Sequence, residues 1–68
     1  MNRSNTGRMI RDARLAKGLT QDELAKRIGT KQATVATWEI GYSFPRPSML
    51  PRLSEVLEIP IDELVKAG

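Results

Sequence analysis

Residues 21–40 place small and apolar side chains at offsets that leave the chain few ways to fold. Counting Gln21 as the first position, Leu24 and Ala25 are fourth and fifth, Gly29 is ninth, Val35 fifteenth and Trp38 eighteenth. A helix that repeats every 3.6 residues brings Leu24, Ala25 and Ile28 to one face. Gly29 takes a left-handed turn conformation without the cost a Cβ would add. A second helix then turns Val35 and Trp38 inward, and the small Ala25 lets the two helices approach where they cross. Trp38 lies three residues after Val35 on this inner face, so it is read as core rather than as a platform for stacking unpaired bases.

This is the spacing of a helix-turn-helix, whose second helix enters the major groove of DNA. The charge distribution agrees. The chain has 68 residues and a net charge of +3. Nine bases and four acids lie before Pro47, for a balance of +5; two bases and four acids follow, for −2. The basic part is therefore the part with the helix-turn-helix, as a phosphate-binding surface requires. A chain of this length is a single domain with a thin core. It contains no cysteine or histidine, which removes disulfides and thiolate metal sites and fits a reducing cytoplasm. No apolar run reaches the length of a membrane span, and no signal-peptide pattern opens the chain.

The rest of the sequence reads as helices. Residues 1–5 are polar and expected to fray. A first helix is expected over residues 6–17, with Ile10 and Ala13 inward and Gly18 as its left-handed cap. Thr20 and Glu23 form a capping box at the start of the second helix. The third helix is expected over residues 32–40, ending at Gly41. Residues 42–47 form a loop stiffened by Pro45 and Pro47. Ser48 is expected to cap a fourth helix, which tolerates Pro51 at its third position because no intrahelical bond is lost there. Leu50, Leu53, Val56 and Leu57 form its apolar stripe. Pro60 opens a fifth helix bearing Ile61, Leu64 and Val65. The expected fold is all-α, a compact five-helix bundle.

Together these features resemble the Cro and cI-type repressors, the XRE or lambda-repressor-like regulators. The resemblance rests on Ile10 and Arg14, on Gly18-Leu19-Thr20-Gln21 and Leu24-Ala25, and on Gly29, Val35, Trp38-Glu39 and Gly41. It continues through Leu50, Leu53 and Leu57 to Ile61, Asp62 and Leu64. It implies a lambda-repressor-like DNA-binding domain, a homodimer on a pseudo-palindromic operator, and a pairing of Arg14 with Glu39 between the first and third helices. The sequence departs from that pattern twice. Lys31 stands where a small hydroxyl would cap the third helix, and the loop over residues 42–47 is longer than usual.

Candidate contacts follow from the geometry of groove entry. Gln32, Ala33 and Thr37 share the groove-facing side of the third helix. The Gln32 amide is suited to a bidentate bond with adenine, and the methyls of Ala33 and Thr37 to a thymine C5-methyl. Lys31 is placed to reach a base edge or a phosphate. Gln21, at a helix start where backbone N–H groups point outward, is a phosphate contact, as are Arg11, Tyr42, Ser43 and Arg46. Arg14 is the tie to Glu39, a phosphate ligand, or both. Gln32 is expected to set base preference, Gln21 and Arg46 affinity alone. Phe44 either packs beneath its loop or meets a second subunit. Leu57, Ile59, Ile61 and Val65 offer apolar surface for a dimer interface.

An enzyme is not expected: no nucleophile–base pair or phosphate loop is present, and capping explains the paired carboxylates Asp22-Glu23 and Asp62-Glu63. No cofactor, metal, membrane or small-molecule ligand is expected. The reading is a cytoplasmic regulator that binds double-stranded DNA and represses by occupying a promoter. Its alternatives are an antitoxin-like interaction module that also binds DNA, and the N-terminal DNA-binding domain of a longer regulator.

Overall fold

The computed structural model describes the backbone of residues 3–67 and the side chains of residues 5–66. All regular structure among them is helical: α1 Arg3–Ala16, α2 Gln21–Ile28, α3 Gln32–Glu39, a 3₁₀ turn Pro47–Met49, α4 Leu50–Leu57 and α5 Ile61–Ala67. Five α-helices in the expected order confirm the all-α bundle.

Local chemistry sets the ends of the helix-turn-helix. The Thr20 hydroxyl accepts from the Glu23 amide at 3.0 Å, and the Thr20 amide donates to Glu23 Oε1 at 2.8 Å. Two orphan donors at the start of α2 are satisfied in this way. Gly29 ends α2 at φ 90°, and its amide donates to the Ala25 carbonyl at 2.8 Å. The next helix starts only three residues later. Lys31 is its N-cap and makes no side-chain capping bond.

Two helix starts differ from the expected ones. Helix α1 begins at Arg3 rather than at Thr6. Of the residues expected to fray, 3–5 are helical, while Met1 and Asn2 lie outside the described residues. The reason sits at Thr6, which is buried and donates its hydroxyl to the Leu64 carbonyl at 3.0 Å, pinning this turn of α1 to α5. Ser48 is not the cap of α4. Pro47 starts a tighter turn, closed by the Met49 amide on the Arg46 carbonyl at 2.8 Å, and α4 follows from Leu50 with Pro51 at its second position. Helix α4 ends on Glu58 at φ 58°, a left-handed residue without glycine's freedom. The Ile59 amide bonds the Ser54 carbonyl at 3.1 Å across it, and Lys17 pairs with the Glu58 carboxylate.

The core is one cluster. Ile10, Leu24, Val35, Leu53 and Leu64 are fully enclosed, one from each helix, with Leu19, Ala25, Trp38, Leu50 and Leu57 around them. Phe44 packs against this cluster from the loop, the first of its two expected placements. Helix α3 packs on both α1 and α2. One of its faces is thereby held rigidly and the opposite one is left to solvent.

Candidate nucleic-acid interface

A relay of hydrogen bonds runs from the interior to the tip of α3. Arg14 is only 8% exposed. Its Nε and Nη2 donate to the two Glu39 carboxylate oxygens at 2.7 and 3.0 Å, and its Nη1 donates to the Leu19 carbonyl at 2.8 Å. These bonds to Glu39 raise the Arg14 pKa above its ordinary value; burial opposes the rise and the Coulombic attraction of Glu39 adds to it. The Glu39 side chain, 3% exposed, also accepts from Gln21 Nε2 at 3.0 Å. Gln21 Oε1 in turn accepts from Gln32 Nε2 at 2.6 Å.

A carboxylate only accepts, so it fixes the polarity of the chain. Gln21 must turn its NH₂ to Glu39 and its oxygen to Gln32, and Gln32 must turn its NH₂ to Gln21. Gln32 keeps a second N–H and its carbonyl oxygen, the donor and acceptor that adenine N7 and N6 require. The expected pairing of Arg14 with Glu39 is therefore present. Three of the five Arg14 N–H donors go to Glu39 and Leu19, and the remaining two are compatible with the second reading of Arg14, as a phosphate ligand.

At the start of α3, the N-cap Lys31 and the helix residues Gln32 and Ala33 are exposed. Thr37 is half-buried. Its hydroxyl donates to the Thr34 carbonyl at 2.7 Å and shares a bond with Ser43 Oγ at 2.7 Å. The hydroxyls of Thr37 and Ser43 are thus turned on each other, fastening the loop to α3, and Thr37 has a methyl to offer a base. Sequence reasoning passed over Ile40, which is 74% exposed. It is the C-cap of α3 and lies seven positions after Ala33, in register with it on the outward face, a register visible in the sequence.

Lys31 and Arg46 line one cleft of about 590 Å³, with Thr34, Trp38, Ser43 and Phe44 between them. Two basic residues thus border a cleft beside the start of α3, where the helix dipole also favours an anion. Tyr42 stands 77% exposed on the loop. Arg11 is exposed one turn along α1 from Gly7, which packs on the end of α3.

The residues expected at a dimer interface divide. Leu57 is corrected: at 3% exposed it belongs to the core, because α4 turns it inward with Leu50 and Leu53. Ile59 is half-buried against that core, and Ile61 and Val65 are exposed on α5. Among the described residues no helix is long and apolar enough to cross a membrane.

Residues 10–64 match the family model described as "Helix-turn-helix". The chain belongs to this helix-turn-helix family, of the XRE or Cro/cI type, and is a DNA-binding domain of the kind found in transcriptional regulators. It is 36% identical over 56 residues to the cryptic phage CTXphi transcriptional repressor RstR of Vibrio cholerae, covering 82% of this chain and 50% of that one. It is 30% identical over 56 residues to the HTH-type transcriptional activator BcrR of Enterococcus faecalis, covering 82% of this chain and 28% of the relative. The chain thus spans half or less of these relatives' length. The crystal structure of the restriction-modification controller protein C.AhdI from Aeromonas hydrophila superposes with a TM-score of 0.80 at 31% identity, covering 91% of this chain and 90% of that one.

Proposed function

We propose that this domain binds a pseudo-palindromic operator in duplex DNA as a homodimer, in the cytoplasm, and represses by occupying a promoter. The observation that carries the reading is Gln32, exposed at the start of α3 with its amide oriented through Gln21 and Glu39 to the buried Arg14. A recognition side chain held in one orientation before DNA arrives loses less freedom on binding. Lys31, Arg46, Arg11 and Tyr42 flank α3 as phosphate contacts, and the start of α2 at Gln21 adds backbone N–H groups. Exposed Ile61 and Val65, with Ile59 beside them, supply the apolar surface for a second copy.

Selection of bound fragments from random duplex DNA, followed by footprinting at several salt concentrations, tests the proposal. Two half-sites about one helical turn apart should be protected on one face of the duplex. Affinity should fall steeply with salt, as neutralising about 6–10 phosphates requires. A flat salt response, or protection without two-fold symmetry, counts against it.

The sign of regulation has a second reading. RstR is named a repressor and BcrR an activator, and both are longer than this chain. The same domain on an operator beside rather than across a promoter would activate. A reporter with the selected operator at each position separates the two.

A further inference from the structure

We propose that Ile40 is a further specificity-determining residue, which reads the C5-methyl of a thymine at the edge of each half-site. The inference rests on the proposed entry of α3 into the major groove.

The outward face of α3 carries Gln32, Ala33, Ala36 and Thr37, opposite the buried Val35 and Trp38, and the C-cap Ile40, still in helical conformation at φ −89° and ψ −1°, continues it. Its hydrogen-bonding capacity is concentrated at one end. Gln32 has a donor and an acceptor free, whereas the Thr37 hydroxyl is engaged with Thr34 and Ser43. Beyond Gln32 the face presents methyl groups. Ala33 and Ala36 are small enough to let the helix approach the base edges. Ile40 then stands out as the one large apolar side chain on this face, 74% exposed.

An isoleucine so exposed contributes little to the fold. In the major groove one group complements it, the thymine methyl, since the other base-edge groups there are hydrogen-bond donors and acceptors. Eight residues of helix span about 12 Å. At 3.4 Å per base pair along a strand, the thymine facing Ile40 lies about three to four base pairs from the pair read by Gln32. The half-site is therefore read by one amide at one end and by apolar contact at the other.

The test uses the operator recovered by selection and replaces thymines one position at a time by uracil, which lacks only the C5-methyl. Wild-type protein should lose roughly 4-fold in affinity per half-site at one such position, the worth of a buried methyl group, and about 16-fold with both half-sites changed. Placing 5-methylcytosine rather than cytosine there should recover part of that loss. Ile40→Ala should keep the wild-type melting temperature, bind the thymine operator several-fold more weakly, and no longer distinguish thymine from uracil at that position. Selective binding that ignores every uracil overturns the inference and leaves the DNA-binding proposal standing. So does an Ile40→Ala protein with undiminished thymine preference. Absence of any sequence-selective binding overturns both.

Discussion

Gly7 and Trp38 bring α1 and α3 into backbone contact: a Cβ built on Gly7 would lie 2.3 Å from the Trp38 carbonyl oxygen and 2.7 Å from that of Glu39. No Cβ fits at such a distance, and a carbonyl in a helix does not swing aside as a flexible side chain does. The close approach brings Arg14, two turns along α1, within reach of Glu39. Gly7→Ala should therefore destabilise the domain by about 2–3 kcal/mol through forced separation of the two helices, a large part of the stability of so small a chain. Urea denaturation of the variant checks this; an unchanged midpoint would show that α1 and α3 separate at no cost.

Arg14→Ala and Glu39→Ala should each cost about 3 kcal/mol, because each leaves its partner's charge buried without compensation. The double variant should cost clearly less than the sum, since it removes both charges together. A thermodynamic cycle from chemical denaturation measures the coupling, and additive losses would mean that the two side chains stabilise the fold independently. Glu39→Ala should also loosen Gln21 and Gln32, visible as broadened side-chain amide resonances.

The Glu23 carboxylate is held below its ordinary pKa, chiefly by the hydrogen bond from the Thr20 backbone N–H, then by the Thr20 hydroxyl beside it. A depressed carboxylate contributes stability that is fully present above its unfolded-state pKa and is lost as pH falls through the folded-state value. Stability measured from pH 7 downward should therefore decline less steeply in Glu23→Gln than in the wild type, the two curves converging in the acid range below the ordinary glutamate value. Parallel curves throughout would remove Glu23 from the titration.

Most of the fold was legible because it is written in local signals: a capping box at Thr20, left-handed glycines at 18 and 29, and apolar residues at helical spacing. The pairing of Arg14 with Glu39 followed from resemblance. Features that depend on distant contacts were not legible. Nothing local marks Thr6 as bonding the Leu64 carbonyl 58 residues away, and Gly7 looks like any glycine near a helix start. Leu57 was misread as interface because the stripe of α4 gives no sign of how much of it the bundle encloses. The helix end at Glu58 was hidden for another reason: its left-handed conformation is held by bonds to Ser54 rather than by residue type. At the candidate interface the sequence located Gln32 but not the relay that orients it, which assembles residues from three helices.

Gln32 and Arg46 should separate when specificity and affinity are measured together. Gln32 keeps one N–H and its carbonyl oxygen for a base edge, so Gln32→Ala should cost roughly 1–3 kcal/mol on the best operator and relax preference at one base pair per half-site, an A·T pair. Arg46, exposed beside the Lys31 cleft, has a flexible charge suited to phosphate. Arg46→Ala should weaken all sequences about equally and flatten the salt dependence by about one unit per site. Gln21 now falls between them. Its bond to Gln32 means that Gln21→Ala should lower affinity and also blunt the A·T preference, though less than Gln32→Ala, because the freed amide still reaches the base in some of its rotamers. Titrating each variant against the operator and its single-base changes gives all three outcomes. Uniform weakening by Gln32→Ala would move base reading away from the start of α3, to Lys31 or to the loop bearing Tyr42 and Arg46.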